Sequence, residues 1–281
     1  MGMIPPVASD FVAGESPAEA IAHVREINRG GVGGIVNLLG EHYQKRPPAD
    51  ADRDAYLALL TDLGREEVSG SISVKPSQIG LDIGEEAFEE NLARIVERAS
   101  EEGVFCWIDM EDHTTTDLTV DAYERHATAT DGGVGVCLQA NLKRTPEDLQ
   151  RLASLPGKVR LVKGAYNPPK GLGYRDRERV SEAYEDLLEF MFREFDGGIA
   201  VGSHDPRMID RAKELYEEYR TPFEIQMLMG VRTDAQFDLA KEGYDVNQYI
   251  PYGDRWPSYF YRRMRERKEN AAFALRAIVG G

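Results

Sequence analysis

The chain has 281 residues, 34 of them basic and 49 acidic, for a formal net charge of −15, a balance that repels nucleic acid and anionic lipid. Its two cysteines rule out a disulfide framework, and no apolar run reaches the length of a membrane span or a signal-peptide core. A folded cytoplasmic protein with a sizeable core is expected, and 25 Arg against 9 Lys fit either a salt-rich cytoplasm or a GC-rich genome.

In chain order, Ser16-Pro17-Ala18-Glu19 reads as a capping box that opens a helix, and the Gly30-Gly31-Val32-Gly33-Gly34 run as its stop. Eight short apolar runs follow, at residues 34–39, 71–75, 104–109, 135–139, 159–163, 199–203, 223–228 and 245–250, each ending in polar residues or Gly. They are predicted strands. The segments between them carry helix starts at Thr145-Pro146 with Asp148, at Asp205-Pro206, at Thr233 with Gln236, and at Pro257. Strands separated by helices imply parallel pairing through right-handed crossovers, so eight units predict an α/β fold, a closed (β/α)8 TIM-type barrel. A doubly wound open sheet is the alternative, but no Gly-x-Gly-x-x-Gly follows the first strand. With no linker or low-complexity tract, residues 1–281 are expected to form a single domain.

In such a barrel the active site lies at the carboxyl ends of the strands. Those ends carry Lys75, Asp109, Gln139, Arg160, Lys163, Ser203, His204, Leu228 and Tyr249, more polar groups than a plain rim needs. Lys75 precedes Pro76, which favours an extended backbone and holds the ammonium at the rim. Asp109 could orient a cation or cap a helix. Strand alternation puts Arg160 and Val162 on one face and Leu161 and Lys163 on the other, so one of the two cations must point away from the lumen. Gly164 would let the backbone approach a ligand. His204 stands before Asp205-Pro206, a helix start that suits an anion or a dinucleotide phosphate better than nucleophile activation. No Gly-x-Ser-x-Gly elbow exists, and the five His at 23, 42, 113, 126 and 204 make no i, i+3 or i, i+4 pair, which argues against zinc. After Pro257, Arg262 and Arg263 offer two adjacent guanidinium forks, the geometry that fixes a small carboxylate.

Taken in order, these segments resemble the proline dehydrogenase family, including the flavin domain of the bifunctional proline utilisation A proteins. The resemblance is carried by Phe11-Val-Ala-Gly-Glu15, Asn37-Leu-Leu-Gly-Glu41, Ser73 to Leu81, Asp109-Met-Glu-Asp112, Leu138 to Thr145, Arg160-Leu-Val-Lys-Gly-Ala-Tyr166, Ser203-His-Asp205, Phe223 to Gly230 and Tyr249 to Glu266. It implies a distorted barrel with a short N-terminal helix and FAD over the strand ends, oxidising L-proline to 1-pyrroline-5-carboxylate by hydride transfer to flavin N5. By match to the motifs, Lys75, Arg262 and Arg263 would bind the substrate carboxylate, and Tyr249 and Leu228 would wall the ring. Asp109 and Arg160 would be the catalytic acid and the flavin-facing base, with Arg160 near N5. Met110, Gln139, Val162, Lys163, Gly164, Ala165, Ser203, His204 and Glu266 fall at cofactor-contact positions. Ser203 stands where Thr is common, Asn167 where an aromatic or Arg is frequent, and Asn247 where a cation is frequent.

The same resemblance implies a quinone-type electron acceptor, with peripheral docking to the inner face of the membrane left open. It also implies a pyrroline-5-carboxylate dehydrogenase on a separate chain, since no aldehyde dehydrogenase segment occurs here. Two other readings compete: an aldolase that forms an imine through Lys163 or Lys75, and a binding module that keeps the fold without turnover. The apolar tail at residues 271–279 is expected to pack on the barrel.

Overall fold

A strand that is apolar on both faces needs cover on both, and the predicted runs obtain it by closing on themselves. The computed structural model describes residues 6–261. Two helices, α1 (Pro6–Ser9) and α2 (Pro17–Asn28), lead into β1 (Val32–Leu38). There follow α3 (Arg46–Arg65), β2 (Gly70–Val74), α4 (Glu85–Glu101), β3 (Cys106–Ile108), α5 (Thr116–Ala129), β4 (Val134–Gln139) and α6 (Thr145–Leu152). The order continues through β5 (Lys158–Val162), α7 (Arg177–Glu194), β6 (Ile199–Gly202), α8 (Pro206–Tyr219), β7 (Phe223–Leu228), α9 (Thr233–Lys241) and β8 (Asp245–Tyr252). The strands form a closed parallel barrel in sequence order, with β8 returning to β1 from Val32 opposite Val246 to Leu38 opposite Tyr252. Each expected run overlaps its strand, and the (β/α)8 architecture stands as read.

One apolar cluster joins Phe11, Val12, Leu39 and Tyr259 at the open end of the barrel, and two others build the barrel itself. The larger one lies between strands and helices and joins β-strand residues such as Val36, Ile72, Val136 and Leu161 to helix residues such as Tyr56, Leu92, Tyr184 and Leu188. The smaller fills the lumen with Ile35, Trp107 and Ala200, flanked by Phe105 and Tyr249. The lumen therefore holds little apolar volume, and polar side chains occupy the rest of it.

The barrel departs from a regular one at its seam. Helix α2 covers the outside of β1 and β8: a Cβ on Gly34 would lie 2.7 Å from Val24 Cγ2, and His23 Nε2 is 2.7 Å from Gln248 Oε1. The helical residues 256–261 that follow β8 instead lie over the strand ends, where Ser258 and Tyr259 share a cavity with Lys75. The tail at 271–279 lies outside the described residues. Among the described residues, no helix is long and apolar enough to cross a membrane.

The expected helix starts hold, but the capping groups differ at two of them. Ser16 and Glu19 form the capping box, and the Asp205 carboxylate accepts from the Arg207 amide. Thr145 is not a cap: the preceding residue, Arg144, holds that position, and the Thr145 hydroxyl donates to the Gln139 carbonyl at 2.6 Å. At α9 the cap position is Arg232, in a left-handed conformation, while Gln236 donates to the Leu228 and Val231 carbonyls. In both cases a tertiary bond to a strand end or its loop has claimed the group that the local signal assigned to the cap.

Trp107 has room in the lumen because β4 carries Gly135 beside it, where a Cβ would lie 2.6 Å from the indole ring and 3.0 Å from the Lys158 carbonyl. Gly135→Ala is expected to destabilise the protein by about 1–3 kcal/mol through overpacking. Urea unfolding measures this, and an unchanged midpoint would contradict the packing described.

Candidate active site

Asp109 follows β3 and is only 7% exposed, yet four donors reach its carboxylate. Oδ1 accepts from Ser73 Oγ at 2.7 Å and from Arg160 Nη2; Oδ2 accepts from Lys75 Nζ at 3.0 Å and from the Tyr249 hydroxyl at 2.7 Å. The donors come from β2 and its carboxyl end, from β5 and from β8, so barrel closure assembles the cluster. Burial alone would raise the Asp109 pKa, but the Lys75 and Arg160 charges, with the Tyr249 and Ser73 hydrogen bonds, hold it well below the usual carboxylate range. Burial pulls the other way on the two cations, and the Asp109 charge outweighs it, keeping Lys75 and Arg160 above their ordinary values.

Lys75 is therefore protonated, which leaves it no lone pair for a carbonyl. Lys163, as alternation required, points away from the lumen and donates to Asp205 at 2.7 Å and to Ser181 at 2.8 Å. The imine reading thus loses both of its candidate amines. Arg160 takes the lumen side: its guanidinium lies 5.0 Å from the Trp107 ring centre and 5.7 Å from that of Tyr249, within cation–π range.

Around these groups stand the expected cofactor positions. Met110 and Gln139 are buried, and Gln139 Nε2 donates to the Glu111 carbonyl at 2.6 Å. Val162 ends β5 and Lys163 follows it, both half-buried, and Ala165 is exposed. Gly164 has φ 103°, and a Cβ there would lie 2.3 Å from Asn141 Oδ1. Only Gly allows that approach. Ser203 and His204 follow β6; Ser203 Oγ accepts from the Asp205 amide at 3.1 Å, and His204 Nε2 lies 3.4 Å from the Leu228 amide. Leu228 and Tyr249 are half-buried at the ends of β7 and within β8. Arg262, Arg263 and Glu266 lie outside the described residues.

A cavity of about 100 Å³ opens beside Lys75, lined also by Leu39, Glu41, Arg255, Ser258 and Tyr259, room for one small solute by comparison with the space a water needs. Its roof is braced from the amino terminus. The Ala13 amide donates to the Pro251 carbonyl at 2.9 Å, the Gly253 amide to the Gly14 carbonyl at 3.0 Å, and Trp256 Nε1 to Glu15 at 3.2 Å. Phe11 packs against Phe260 with ring centres 6.0 Å apart.

Several residues that shape this site were not singled out from sequence. Ser73 and Trp107 contact the central charges, and Gln226 Oε1 accepts from Arg160 Nη1 at 2.9 Å. Glu111, 2% exposed, accepts from the Ser77 amide and hydroxyl, both at 2.6 Å, and burial raises its pKa. Alternation back from Leu228 along β7 points to Gln226, and alternation around Arg160 on β5 shows which face it shares.

The polar groups here fit a phosphate-bearing flavin. Asn141 Oδ1 is buried without a hydrogen-bond partner beside the tight turn at Gly164, and the amino end of α8, with Lys163 next to it, presents positive charge of the kind that holds phosphate. The two thiols do not compete for this role: Cys106 and Cys137 are buried and free, and burial pushes Cys106 up to about 12.

The sequence model of the family described as Proline dehydrogenase matches residues 20–276. Proline dehydrogenase 1 of Bacillus subtilis is 34% identical over 276 residues, covering 97% of this chain and 90% of its own length. The proline dehydrogenase of Deinococcus radiodurans is 36% identical over 283 residues, covering 98% and 91%. Among solved structures, proline utilization A from Bdellovibrio bacteriovorus, inactivated by N-propargylglycine, superposes with a TM-score of 0.83 at 24% identity over 92% of this chain. Proline utilization A from Corynebacterium freiburgense gives 0.78 at 22% identity over 95%. The chain spans 32% of the length of each of these two structures, which speak to the fold.

Replacing Asp109 by Asn leaves Lys75 and Arg160 buried without their counter-charge. The variant should lose about 3–5 kcal/mol of unfolding free energy at neutral pH, the usual cost of breaking a buried pair. Because the folded-state pKa of Asp109 is lowered, its contribution is complete above the ordinary carboxylate value of about 3.9 and fades as pH falls below it. Urea unfolding of the two proteins across pH checks both statements; equal midpoints at pH 7 would contradict them.

Proposed function

The chain belongs to the proline dehydrogenase family, and from that premise we propose the chemistry by which it oxidises proline in the first step of proline catabolism. The substrate is L-proline, the product 1-pyrroline-5-carboxylate, and the cofactor FAD. The observation that carries this reading is the cluster of Lys75, Arg160 and Tyr249 around one ionised carboxylate, set beside a small cavity at the strand ends.

When bound, FAD would supply the hydride acceptor for the ring carbon next to nitrogen. The protein's own tasks are to clamp, orient and exclude water. Lys75, with Arg262 and Arg263, binds the substrate carboxylate, while Tyr249 and Leu228 wall its ring. Asp109 serves as an ionised counter-charge rather than a proton donor, since its carboxyl is held well below the usual range. It fixes Lys75, Arg160 and the Tyr249 hydroxyl in one arrangement. Arg160 supplies a permanent positive charge at a buried position, where it acts more strongly than in water. Gln139, Met110, Val162, Gly164, Ala165, Ser203, His204 and Glu266 hold the cofactor, with Lys163 at its phosphate end.

The match over residues 20–276 supports one catalytic domain across the chain. A quinone-type acceptor, a cytoplasmic location and a pyrroline-5-carboxylate dehydrogenase as functional partner belong to the same reading, with docking at the inner membrane face left open.

Anaerobic addition of L-proline to the purified protein should bleach an oxidised flavin band, and D-proline should not. A flavin band that L-proline leaves untouched would defeat the proposed chemistry. Arg262→Met and Arg263→Met should each raise the proline KM by about two orders of magnitude, as expected for loss of a charged clamp, with flavin still bound. An unchanged KM in both would remove the clamp assignment.

A further inference from the structure

We propose that Gln226, oriented by Glu224, is a positioning residue that fixes the Arg160 guanidinium for the reaction. The proposal rests on the role given to Arg160 above. Asp109 holds Nη2 of that guanidinium, the Trp107 and Tyr249 rings flank it and the Cys137 thiol contacts it, but none of these holds Nη1 from a fixed oxygen. Gln226 Oε1 accepts from Nη1 at 2.9 Å, which supplies the second point. Both residues are buried, Gln226 at 4% and Arg160 at 5% exposed, so no bulk water can replace either bond.

The amide of a glutamine can present oxygen or nitrogen, and only the oxygen suits Arg160, which has donors alone. Glu224 makes that choice. It is an acceptor when ionised, and Gln226 Nε2 donates to its Oε1, which turns the amide oxygen towards Arg160. Glu224 is itself 5% exposed and is neutralised by Lys158 Nζ at 2.6 Å from its Oε2. Lys158, at the amino end of β5, lies 5.2 Å from the Phe105 ring centre, and Phe105 packs on Trp107 at 5.1 Å. Lys158, Glu224, Gln226, Arg160 and Asp109 thus form one chain of alternating donors and acceptors along the lumen, each link setting the orientation of the next.

A buried ion pair that merely plugs the barrel would contribute to stability alone. A positioning role predicts effects on the flavin. In the flavin-loaded Gln226→Met protein, the limiting rate of flavin reduction by L-proline should fall about tenfold, with the proline dependence within about twofold of wild type, the pattern of an interaction felt in the transition state. The midpoint potential of the flavin should become more negative, as a displaced cation stabilises reduced flavin less. Glu224→Gln, which keeps the volume but frees the amide to flip, should move rate and potential in the same direction by a smaller factor, and it decides the matter if Gln226→Met does not fold. Arg160→Met, which removes the charge, is measured alongside. If it shifts the potential while folded Gln226→Met and Glu224→Gln match wild type in rate and potential, the positioning role is overturned and the role of Arg160 stands. If Arg160→Met leaves the potential unchanged, the reading of Arg160 fails and the proposal with it.

Discussion

A carboxylate can stay ionised inside a protein only if its charge is met from several directions, and at Asp109 the directions are different strands of a closed sheet. Ser73 and Lys75 reach it from β2 and its carboxyl end, Arg160 from β5 and Tyr249 from β8. No open sheet of the same strands would bring β8 back to β1 and so to this point. The closure of the barrel and the electrostatics of the site are therefore one constraint. Within the hydrogen-bonded cluster two cations face one carboxylate, and the excess of positive charge suits a substrate that brings a carboxylate of its own.

The rest of the molecule serves that arrangement in layers. Apolar packing between strands and helices fixes the barrel wall, while the lumen exchanges apolar volume for oriented polar groups. Such an exchange is stable only when every member is satisfied. Trp107 and Tyr249 contribute here as flat faces beside Arg160, filling space that water would otherwise enter. At the open end, the segment from Phe11 to Glu15 ties the chain after β8 to the barrel, so the piece that leads towards Arg262 and Arg263 starts from a braced position.

Much of this was legible in the sequence because it follows from short-range rules. Eight apolar runs separated by helices gave the barrel, and alternation along β5 correctly parted Arg160 from Lys163. The polar residues closing the runs identified Lys75, Asp109 and Tyr249, which the fold then gathers. What stayed hidden depends on long-range contact. Gln226 and Glu224 sit in a run dominated by Phe223, Ile225, Met227 and Leu228, and only the partner across the lumen shows why two polar residues are buried there. Thr145 and Thr233 carry the right local signal for a helix cap, but the Thr145 hydroxyl is taken by the Gln139 carbonyl and the α9 cap falls to Arg232. The brace from residues 11–15 to 251–260 has no local signature at all.

Asp109 is an anion through the ordinary pH range and holds its neighbours in place. Its carboxyl carbon can be followed by carbon-13 NMR as pH is lowered, with the Asp109→Asn protein identifying the resonance. The structure predicts no titration of that carbon through the ordinary carboxylate range while the protein stays folded. Protonation at or above about pH 4, the ordinary range for a free Asp, would contradict it and would return Asp109 to the role of a proton donor.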